Sequence, residues 1–212
     1  MRRFRVPDVV IRRLVIYLRI LNEMELETGP HYISSQELGQ RAGVSPAQVR
    51  KDLASFGEFG KQGVGYEAHN LREELRSILN QDRPIKVAIF GLGELGRALT
   101  RYLNRCPHGE ECDVFHITAI FDSDPRKIGQ TFEGVQVSPP DALPAKMERE
   151  GLDIAIMTVP ASAAQMVADL CVQAGIQALL NFAPVKLFVP DNVRVHYSDV
   201  TLELQQLSFY LS

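Results

Sequence analysis

The chain has 212 residues, of which 45% are hydrophobic and 23% charged, with a formal net charge of −3 at pH 7, a composition that suits a soluble protein of two small domains. It contains no apolar run long enough to predict a membrane span, and its arginine-rich start lacks the apolar region and cleavage site of a secretory signal. Three cysteines are too few for a disulfide framework, so we expect a cytoplasmic protein.

Charge is distributed unevenly along the chain. Residues 1–83 carry 13 Lys and Arg against 11 Asp and Glu, whereas residues 84–212 carry 10 against 15. Six of the basic residues are arginines within the first 19 positions, where Asp8 is the only acid. A polyanion would therefore meet the N-terminal part of the protein, although the excess of two charges is small.

Residues 7–43 predict two helices separated by a turn. The first begins at Pro7 and places apolar side chains at helical spacing on one face. The second is short, begins with a capping box formed by Ser34 and Glu37, and ends at Gly43. The residues of the apolar face of the first helix are Val10, Leu14, Tyr17, Leu18 and Leu21.

Residues 45–80 complete a predicted winged-helix domain over 1–80. A helix is predicted at 45–56, because Ser45 suits the N-cap and is followed by Pro46 at the first helical position and Gln48 at the third. It forms a helix-turn-helix with the preceding helix. The glycine-broken sequence FGEFGKQGVGYEA then predicts a β-hairpin, and a further helix is expected at 70–80.

The second helix of this helix-turn-helix and the hairpin carry the candidate DNA contacts. Residues near the N-terminal half of a recognition helix reach base edges, where Arg suits guanine and Gln suits adenine. A hairpin beside it would act as a wing along the minor groove or the backbone, anchored by Phe56, Phe59 and Tyr66. The alternative is an ordinary solvated helix face in a protein that does not bind DNA. The predicted DNA-binding residues are Ser45, Gln48, Arg50, Lys51, Lys61, Gly63, Gly65 and Tyr66.

After a linker at 81–84, strands and helices alternate. Nearly continuous apolar strands separated by helices predict a parallel, doubly wound α/β sheet over residues 85–199. The tail at 200–212 predicts an amphipathic helix with no assigned partner. The expected strands are 85–90, 116–124, 153–160 and 177–184, with helices after the glycine cluster and at 162–175.

The glycine cluster GLGELG at 91–96 follows a strand and opens a helix, as a Rossmann dinucleotide site requires. Gly91 allows the tight turn, Gly93 the approach of a pyrophosphate, and Gly96 close helix packing. Asp122 ends the next strand, where an acid would accept hydrogen bonds from ribose and disfavour a 2′-phosphate, which favours NAD although Arg126 and Lys127 lie nearby. The predicted cofactor-binding residues are Gly91, Leu92, Gly93, Glu94, Leu95, Gly96, Asp122, Thr158, Val159, Pro160, Asn181, Phe182, Ala183 and Pro184.

Catalysis and metal binding receive little support. Hydride transfer needs a proton donor beside the substrate, and none of the five histidines follows a strand of the predicted sheet. We therefore expect no catalytic residue and no substrate, with a dehydrogenase as the alternative. The spacing of Cys106, His108, Cys112 and His116 matches no common zinc signature, so we expect a solvated loop, or else a disulfide or thiol switch between the first two cysteines. Cys171 is expected in the core.

Several motifs together resemble the redox-sensing transcriptional repressor family Rex. They are VRKDLASFGEFGKQGVGY, GLGELGRAL, FDSDPRKIG, MTVP, QAGI, LLNFAPV and the terminal QLSF, in the family's order over nearly the whole chain. The resemblance implies a homodimeric repressor that binds double-stranded operator DNA and NAD or NADH, with no membrane association. It further implies that the NADH form leaves DNA, that NAD⁺ permits binding, and that the C-terminal helix is swapped onto the partner subunit.

The resemblance also implies three sensor positions. Arg19 in YLRIL, Tyr102 after GRALTR and Asp199 before VTLELQQLSF would form alternative contacts that report the state of the nicotinamide. The chain departs from the family pattern at Val200, where some relatives carry an aromatic residue, and in an insertion at 106–113. A regulator that binds CoA or another nucleotide without a redox response is a further alternative.

Overall fold

The computed structural model describes residues 6–24, 31–61, 64–104 and 114–211. The main division of the chain falls between Arg83 and Pro84, on either side of which lies a compact unit. Among the described helices, none is both long and apolar enough to cross a membrane.

The described part of the N-terminal unit has four helices and a small antiparallel sheet, so the predicted winged helix-turn-helix fold is confirmed. Its strands are ordered β1-β3-β2, and β2 with β3 forms the predicted hairpin. Strand β1 pairs with β3 and was not predicted, because two residues are too short to show strand periodicity. The elements are α1 (Asp8–Glu23), β1 (Tyr32–Ile33), α2 (Ser35–Ala42), α3 (Pro46–Ala54), β2 (Gly60–Lys61), β3 (Gly65–Glu67) and α4 (Ala68–Ile78).

Side-chain caps set the helix ends in this unit. The Ser34 hydroxyl accepts a hydrogen bond from Glu37 N at 3.1 Å, and the Ser45 hydroxyl accepts one from Gln48 N at 3.2 Å, as predicted. Helix α4 begins two residues earlier than expected because the Glu67 carboxylate caps it, accepting from His69 N at 3.2 Å and from Asn70 N at 2.7 Å.

The core of the N-terminal unit forms where α1 packs against α2 and α4. Four of the five residues predicted for the apolar face of α1 are buried. Val10 is only partly buried, and Ile20 takes a core position instead, since the apolar stripe widens toward the C-terminal end of the helix. Arg19, one position away, is exposed.

The C-terminal unit is a seven-stranded sheet flanked by helices. The strand order β10-β9-β8-β4-β5-β7-β6 is parallel throughout except for the short β6–β7 hairpin, so the predicted Rossmann-like sheet is confirmed. Turns of 3₁₀ helix lie at 140–142 and 209–211. The elements are β4 (Ile85–Phe90), α5 (Glu94–Asn104), β5 (Phe115–Phe121), β6 (Thr131–Phe132), β7 (Val135–Ser138), α6 (Leu143–Glu150), β8 (Ile154–Met157), α7 (Ala161–Gln173), β9 (Ala178–Asn181), β10 (Arg194–Tyr197) and α8 (Val200–Ser208).

Three predicted strands are too long at their C-terminal ends, and four elements were missed. Asp122 and Asn181 end their strands because each side chain accepts a hydrogen bond from the backbone two residues on, which turns the chain. The third overlong strand, at 153–160, ends at Met157 because Pro160 precedes α7 directly. The missed elements are β6, β7, β10 and α6, which are short or, in β10, exposed on an edge without an apolar run.

The core of the C-terminal unit places its largest side chains near the carboxyl ends of the central strands. Phe90 and Phe121 close neighbouring strands and stack with ring centroids 4.7 Å apart. Cys171 is fully buried in α7, as predicted, and burial raises the pKa of its thiol to about 12. The aromatic pair therefore lies directly beneath the loops at that edge of the sheet.

Candidate functional site

The loops at the carboxyl edge of the C-terminal sheet enclose a cavity of about 450 Å³. It lies where the strand order reverses, with β5 on one side of β4 and β8 on the other, which is the position of ligand sites in doubly wound sheets. The N-terminal ends of α5 and α7 meet at this edge. A helix N-terminus presents N–H groups and positive dipole, so the cavity suits an anionic ligand.

Each of the three glycines of GLGELG is explained by a different feature of the structure. Gly91 has φ of +93°, and a Cβ there would lie 2.7 Å from the carbonyl oxygen of Thr158. A Cβ on Gly96 would overlap the carbonyl oxygen of Gly91. A Cβ on Gly93 would meet no atom of the described residues within 4 Å, although this glycine lines the cavity. Packing of the chain thus requires the first and third glycines, whereas the middle one leaves room for a ligand.

Thr158 holds the turn of this loop. Its hydroxyl lies 2.7 Å from the carbonyl oxygen of Gly91 and 3.0 Å from that of Phe90. The residue lines the cavity, as predicted for cofactor contact, but its side chain already has internal hydrogen-bond partners. It therefore positions the glycine loop from the neighbouring strand.

Asp122 is 8% exposed and joins three parts of the site. Its carboxylate accepts hydrogen bonds from Leu92 N at 2.7 Å, from Asp124 N at 2.8 Å and from the Lys127 ammonium at 2.8 Å. Burial acts to raise the pKa of Asp122, but these hydrogen bonds outweigh it and hold the pKa below its ordinary value. The carboxylate is thus ionised at neutral pH and pairs with Lys127, one of the two nearby cations that counted against the preference for NAD.

Six of the fourteen predicted cofactor-binding residues line this cavity, namely Gly91, Gly93, Asp122, Thr158, Val159 and Pro160. Leu92 and Gly96 are buried behind the loop, and Glu94 and Leu95 lie exposed at the start of α5.

The segment at 181–184 does not line the cavity, and its contact with a cofactor stays a prediction. Asn181 is 1% exposed, and its side-chain amide donates to the carbonyl oxygens of Ala183 and Val185. Asn181 thereby closes the turn after β9, and Phe182 and Pro184 belong to that turn.

Sequence reasoning missed other residues that line the cavity. Lys127 could have been assigned from its position five residues after Asp122. Pro140 follows β7, a strand that was not predicted, so no sequence signal marked it. The remaining missed residues are Phe90, Phe121, Ser123, Ala163, Met166 and Val167.

Helix α3 and the hairpin form the candidate nucleic-acid face of the N-terminal unit, with a groove of about 710 Å³ between them. Arg50 lies on this groove and donates to the Ser35 hydroxyl at 2.8 Å, while Lys51 is exposed. The Ser45 hydroxyl is occupied by its helix cap. Gly63 and the Lys61 side chain lie outside the described residues.

Two of the predicted hairpin residues have structural roles of their own. Gly65 has φ of +99°, and a Cβ there would lie 2.7 Å from the carbonyl oxygen of Ile33, so the hairpin needs this glycine for its packing. Tyr66 is 9% exposed and belongs to the core, as predicted for an anchor of the hairpin, and its contact with DNA stays a prediction.

Asp52 of α3 was not singled out from the sequence and is the most heavily bonded carboxylate of this unit among the described residues. It accepts from Arg13 Nε at 2.6 Å and Nη2 at 2.7 Å, from the Tyr17 hydroxyl at 2.9 Å and from Gln48 Nε2 at 2.7 Å. Burial acts to raise its pKa, but the hydrogen bonds from Arg13, Gln48 and Tyr17 lower it below the ordinary value. The available signal was an acid on the inner face of α3, between Val49 and Leu53.

The three predicted sensor residues lie on different elements. Arg19 is exposed on α1, Tyr102 is 64% exposed on α5, and Asp199 caps α8 by accepting from Thr201 N and Leu202 N at 3.0 and 3.2 Å. Their role in sensing stays a prediction. Cys106, His108 and Cys112 lie outside the described residues, and within the described ranges no cluster of three or more His, Cys, Asp or Glu side chains could hold a metal ion.

Comparison with known proteins adds two family matches. Residues 82–185 match the family described as "CoA binding domain", and residues 5–54 match the family described as "Putative DNA-binding protein N-terminus". The two matches divide the chain near the boundary between its two compact units. The first match contains the whole cavity, whereas the second contains α3 and ends before the hairpin.

Curated relatives match over nearly the whole chain. The chain is 43% identical to a redox-sensing transcriptional repressor Rex of Brevibacillus brevis, covering 98% of both chains. It is 45% identical to a protein of the same name from Chloroflexus aurantiacus, covering 97% of this chain and 94% of the relative.

Solved structures of a Rex-family repressor called RSP show the same fold. The complex with β-NAD⁺ and operator DNA has a TM-score of 0.88 and is 36% identical, covering 99% of this chain and 94% of that one. The complex with β-NADH has a TM-score of 0.81 and is 34% identical, covering 99% and 95%.

Proposed function

The chain belongs to the family of redox-sensing transcriptional repressors called Rex, and we propose that it binds operator DNA through α3 and the hairpin and NAD(H) through the cavity beside GLGELG. One observation carries the proposal: the chain combines a winged helix with a cavity beside GLGELG, and among the three glycines of that motif only Gly93, which lines the cavity, is not required by packing. We expect the protein to act in the cytoplasm as a regulator and not as an enzyme.

The described residues fit a dinucleotide. The loop at Gly91–Gly96 and the start of α5 would hold the pyrophosphate. Asp122 keeps its ionised carboxylate at the end of β5, where it would accept from ribose while Lys127 balances its charge. Val159, Pro160 and Met166 offer an apolar wall for the nicotinamide end. When bound, the cofactor supplies a ring whose charge and planarity differ between its oxidised and reduced forms.

The proposed regulation rests on differential affinity. A ligand shifts an equilibrium between two states only when it binds them unequally. Two winged helices in a dimer must reach half-sites about one helical turn apart, ~34 Å, so a modest rotation would prevent simultaneous contact. NADH would favour the arrangement in which the spacing of the two winged helices no longer matches the half-sites. Arg19, Tyr102 and Asp199 are the residues proposed to report the nicotinamide state.

The first prediction is that operator DNA weakens NADH binding, since coupling between two ligands is reciprocal. Typical coupling corresponds to a change of roughly 5- to 150-fold in affinity. Calorimetric titration of NADH into the protein, with and without saturating operator duplex, measures this factor. The Arg50→Ala variant is the control: it should lose operator affinity while its NADH affinity without DNA stays unchanged.

Three outcomes separate the alternatives. An NADH affinity that is the same on and off operator DNA would contradict the coupling. Equal effects of NAD⁺ and NADH on operator retention would indicate a nucleotide-binding regulator without redox response. Steady oxidation of NADH with a small carbonyl compound, followed by absorbance, would indicate an oxidoreductase.

The second prediction concerns a homodimer formed through α8. The apolar side chains of this helix are exposed, including Leu204 at 61% and Leu207 at 60%. We expect that replacing both by Glu converts the dimer to a monomer in analytical ultracentrifugation, because buried charges would oppose association. Gln205→Glu on the same helix is the matched control and should remain dimeric. A dimer that persists in the double variant would exclude α8 from the interface.

A further inference from the structure

A buried carboxylate determines which way one side chain of α3 points its hydrogen-bonding groups. Asp52 is 1% exposed and lies one helical turn after Gln48 on the same helix. Gln48 Nε2 donates to Asp52 Oδ1 at 2.7 Å, and the Gln48 residue is only half-buried. One end of the amide is thus held inside the protein while the residue remains partly accessible.

The carboxylate cannot rotate away from this contact. Arg13 of α1 donates to both of its oxygens, at 2.6 and 2.7 Å, and the Tyr17 hydroxyl donates to one of them at 2.9 Å. The Asp52 side chain is 2% exposed, so water does not compete for these bonds. The position of the acceptor is therefore set by α1, a different helix from the one that carries Gln48.

The chemistry of the pair removes an ambiguity that a glutamine otherwise has. An ionised carboxylate only accepts hydrogen bonds, so the Gln48 amide must turn its nitrogen toward Asp52 and its oxygen away. The outward side then offers the oxygen as an acceptor and the second N–H as a donor. Adenine presents the complementary pair in the major groove, the N6 amino donor and the N7 acceptor.

We propose that Asp52 is a positioning residue for base readout: it orients the Gln48 amide so that α3 selects adenine in the operator. This inference rests on the proposed function, since it presupposes that α3 enters the major groove. It assigns a specificity-determining role to a residue that never touches DNA, and it makes Arg13, which donates to both carboxylate oxygens, the support of that role.

Binding of single-base operator variants tests the proposal. Wild-type protein should discriminate against replacement of one A·T pair by roughly 5- to 150-fold, the range of a good bidentate contact. The Gln48→Ala variant identifies the base pair that Gln48 contacts, because discrimination should be lost at that base pair and at no other. The test variant is Arg13→Met with Asp52→Leu, which removes both buried charges together and leaves neither unpaired.

The double variant should lose discrimination at the Gln48 position and keep it at the other positions. In the Gln48→Ala background the same pair of substitutions should cause no further change in base preference. Tyr17→Phe is the matched control, since it perturbs the same cluster but leaves the contact between Asp52 and Gln48 intact; it should keep full discrimination.

The proposal is overturned if the double variant keeps its preference at that position, or if Gln48→Ala changes no base preference. Should the variant not fold, the wild-type protein decides: NMR should show one Gln48 side-chain amide proton protected from exchange, and two freely exchanging protons would overturn the proposal. Wild-type protein that binds operator no better than an unrelated duplex would instead contradict the proposed function itself.

Discussion

Gly96→Ala is expected to lower the free energy of unfolding by about 3 kcal/mol or more and to abolish NAD(H) binding. The new Cβ would overlap the Gly91 carbonyl oxygen and lie 2.9 Å from the Thr158 hydroxyl, so the loop and α5 must separate. Overpacking of a well-packed site costs about 1–3 kcal/mol, and more when backbone must move. Chemical denaturation followed by circular dichroism measures the loss, and calorimetry measures cofactor binding.

Gly93→Ala is the control that separates folding from ligand contact. Its Cβ would enter space that the described residues leave open, so the free energy of unfolding should change by less than about 1 kcal/mol, the helix-propensity range. Its NADH affinity should nevertheless fall at least about tenfold, because the methyl group occupies the approach of the pyrophosphate. Normal NADH binding by Gly93→Ala would show that the cofactor lies elsewhere.

Asp52→Ala is expected to cost about 3–5 kcal/mol of unfolding free energy and to weaken operator binding. The substitution leaves Arg13 without its carboxylate partner, and the Arg13 side chain is only 16% exposed. Removing one partner of a buried ion pair typically lowers the free energy of unfolding by about 3–5 kcal/mol. Replacing both partners together, as in Arg13→Met with Asp52→Leu, should recover most of the stability. Urea denaturation of the three proteins measures this, and an Asp52→Ala midpoint equal to that of wild type would contradict it.

The stability difference between wild type and Asp52→Ala is also expected to depend on pH. The folded-state pKa of Asp52 lies below its ordinary value of 3.8, so its contribution is complete at pH values above the unfolded pKa and is lost as pH falls through the folded pKa. The stability difference between wild type and Asp52→Ala should therefore be constant near neutral pH and narrow in acid. Asp122 also has a lowered pKa but is present in both proteins, so its effect cancels.

Part of the candidate cofactor site could be predicted because its signal is local. A glycine loop between a strand and a helix needs no knowledge of distant residues, and Gly91, Gly93 and Asp122 are found at the cavity. The segment at 181–184 follows a strand in the same way, yet it lies outside this cavity. Position after a strand does not reveal whether a side chain faces the ligand or, as in Asn181, the backbone of its own turn.

By itself, the sequence determined the longer helices and strands, the helix caps at Ser34 and Ser45 and the division into two units, since propensity, periodicity and capping act over a few residues. Only the tertiary structure decided the partners of buried polar groups. Asp52 meets Arg13 across 39 positions, and Asp122 meets Leu92 N across 30. A buried carboxylate must find donors wherever the fold brings them, and no local pattern specifies which distant residues those are.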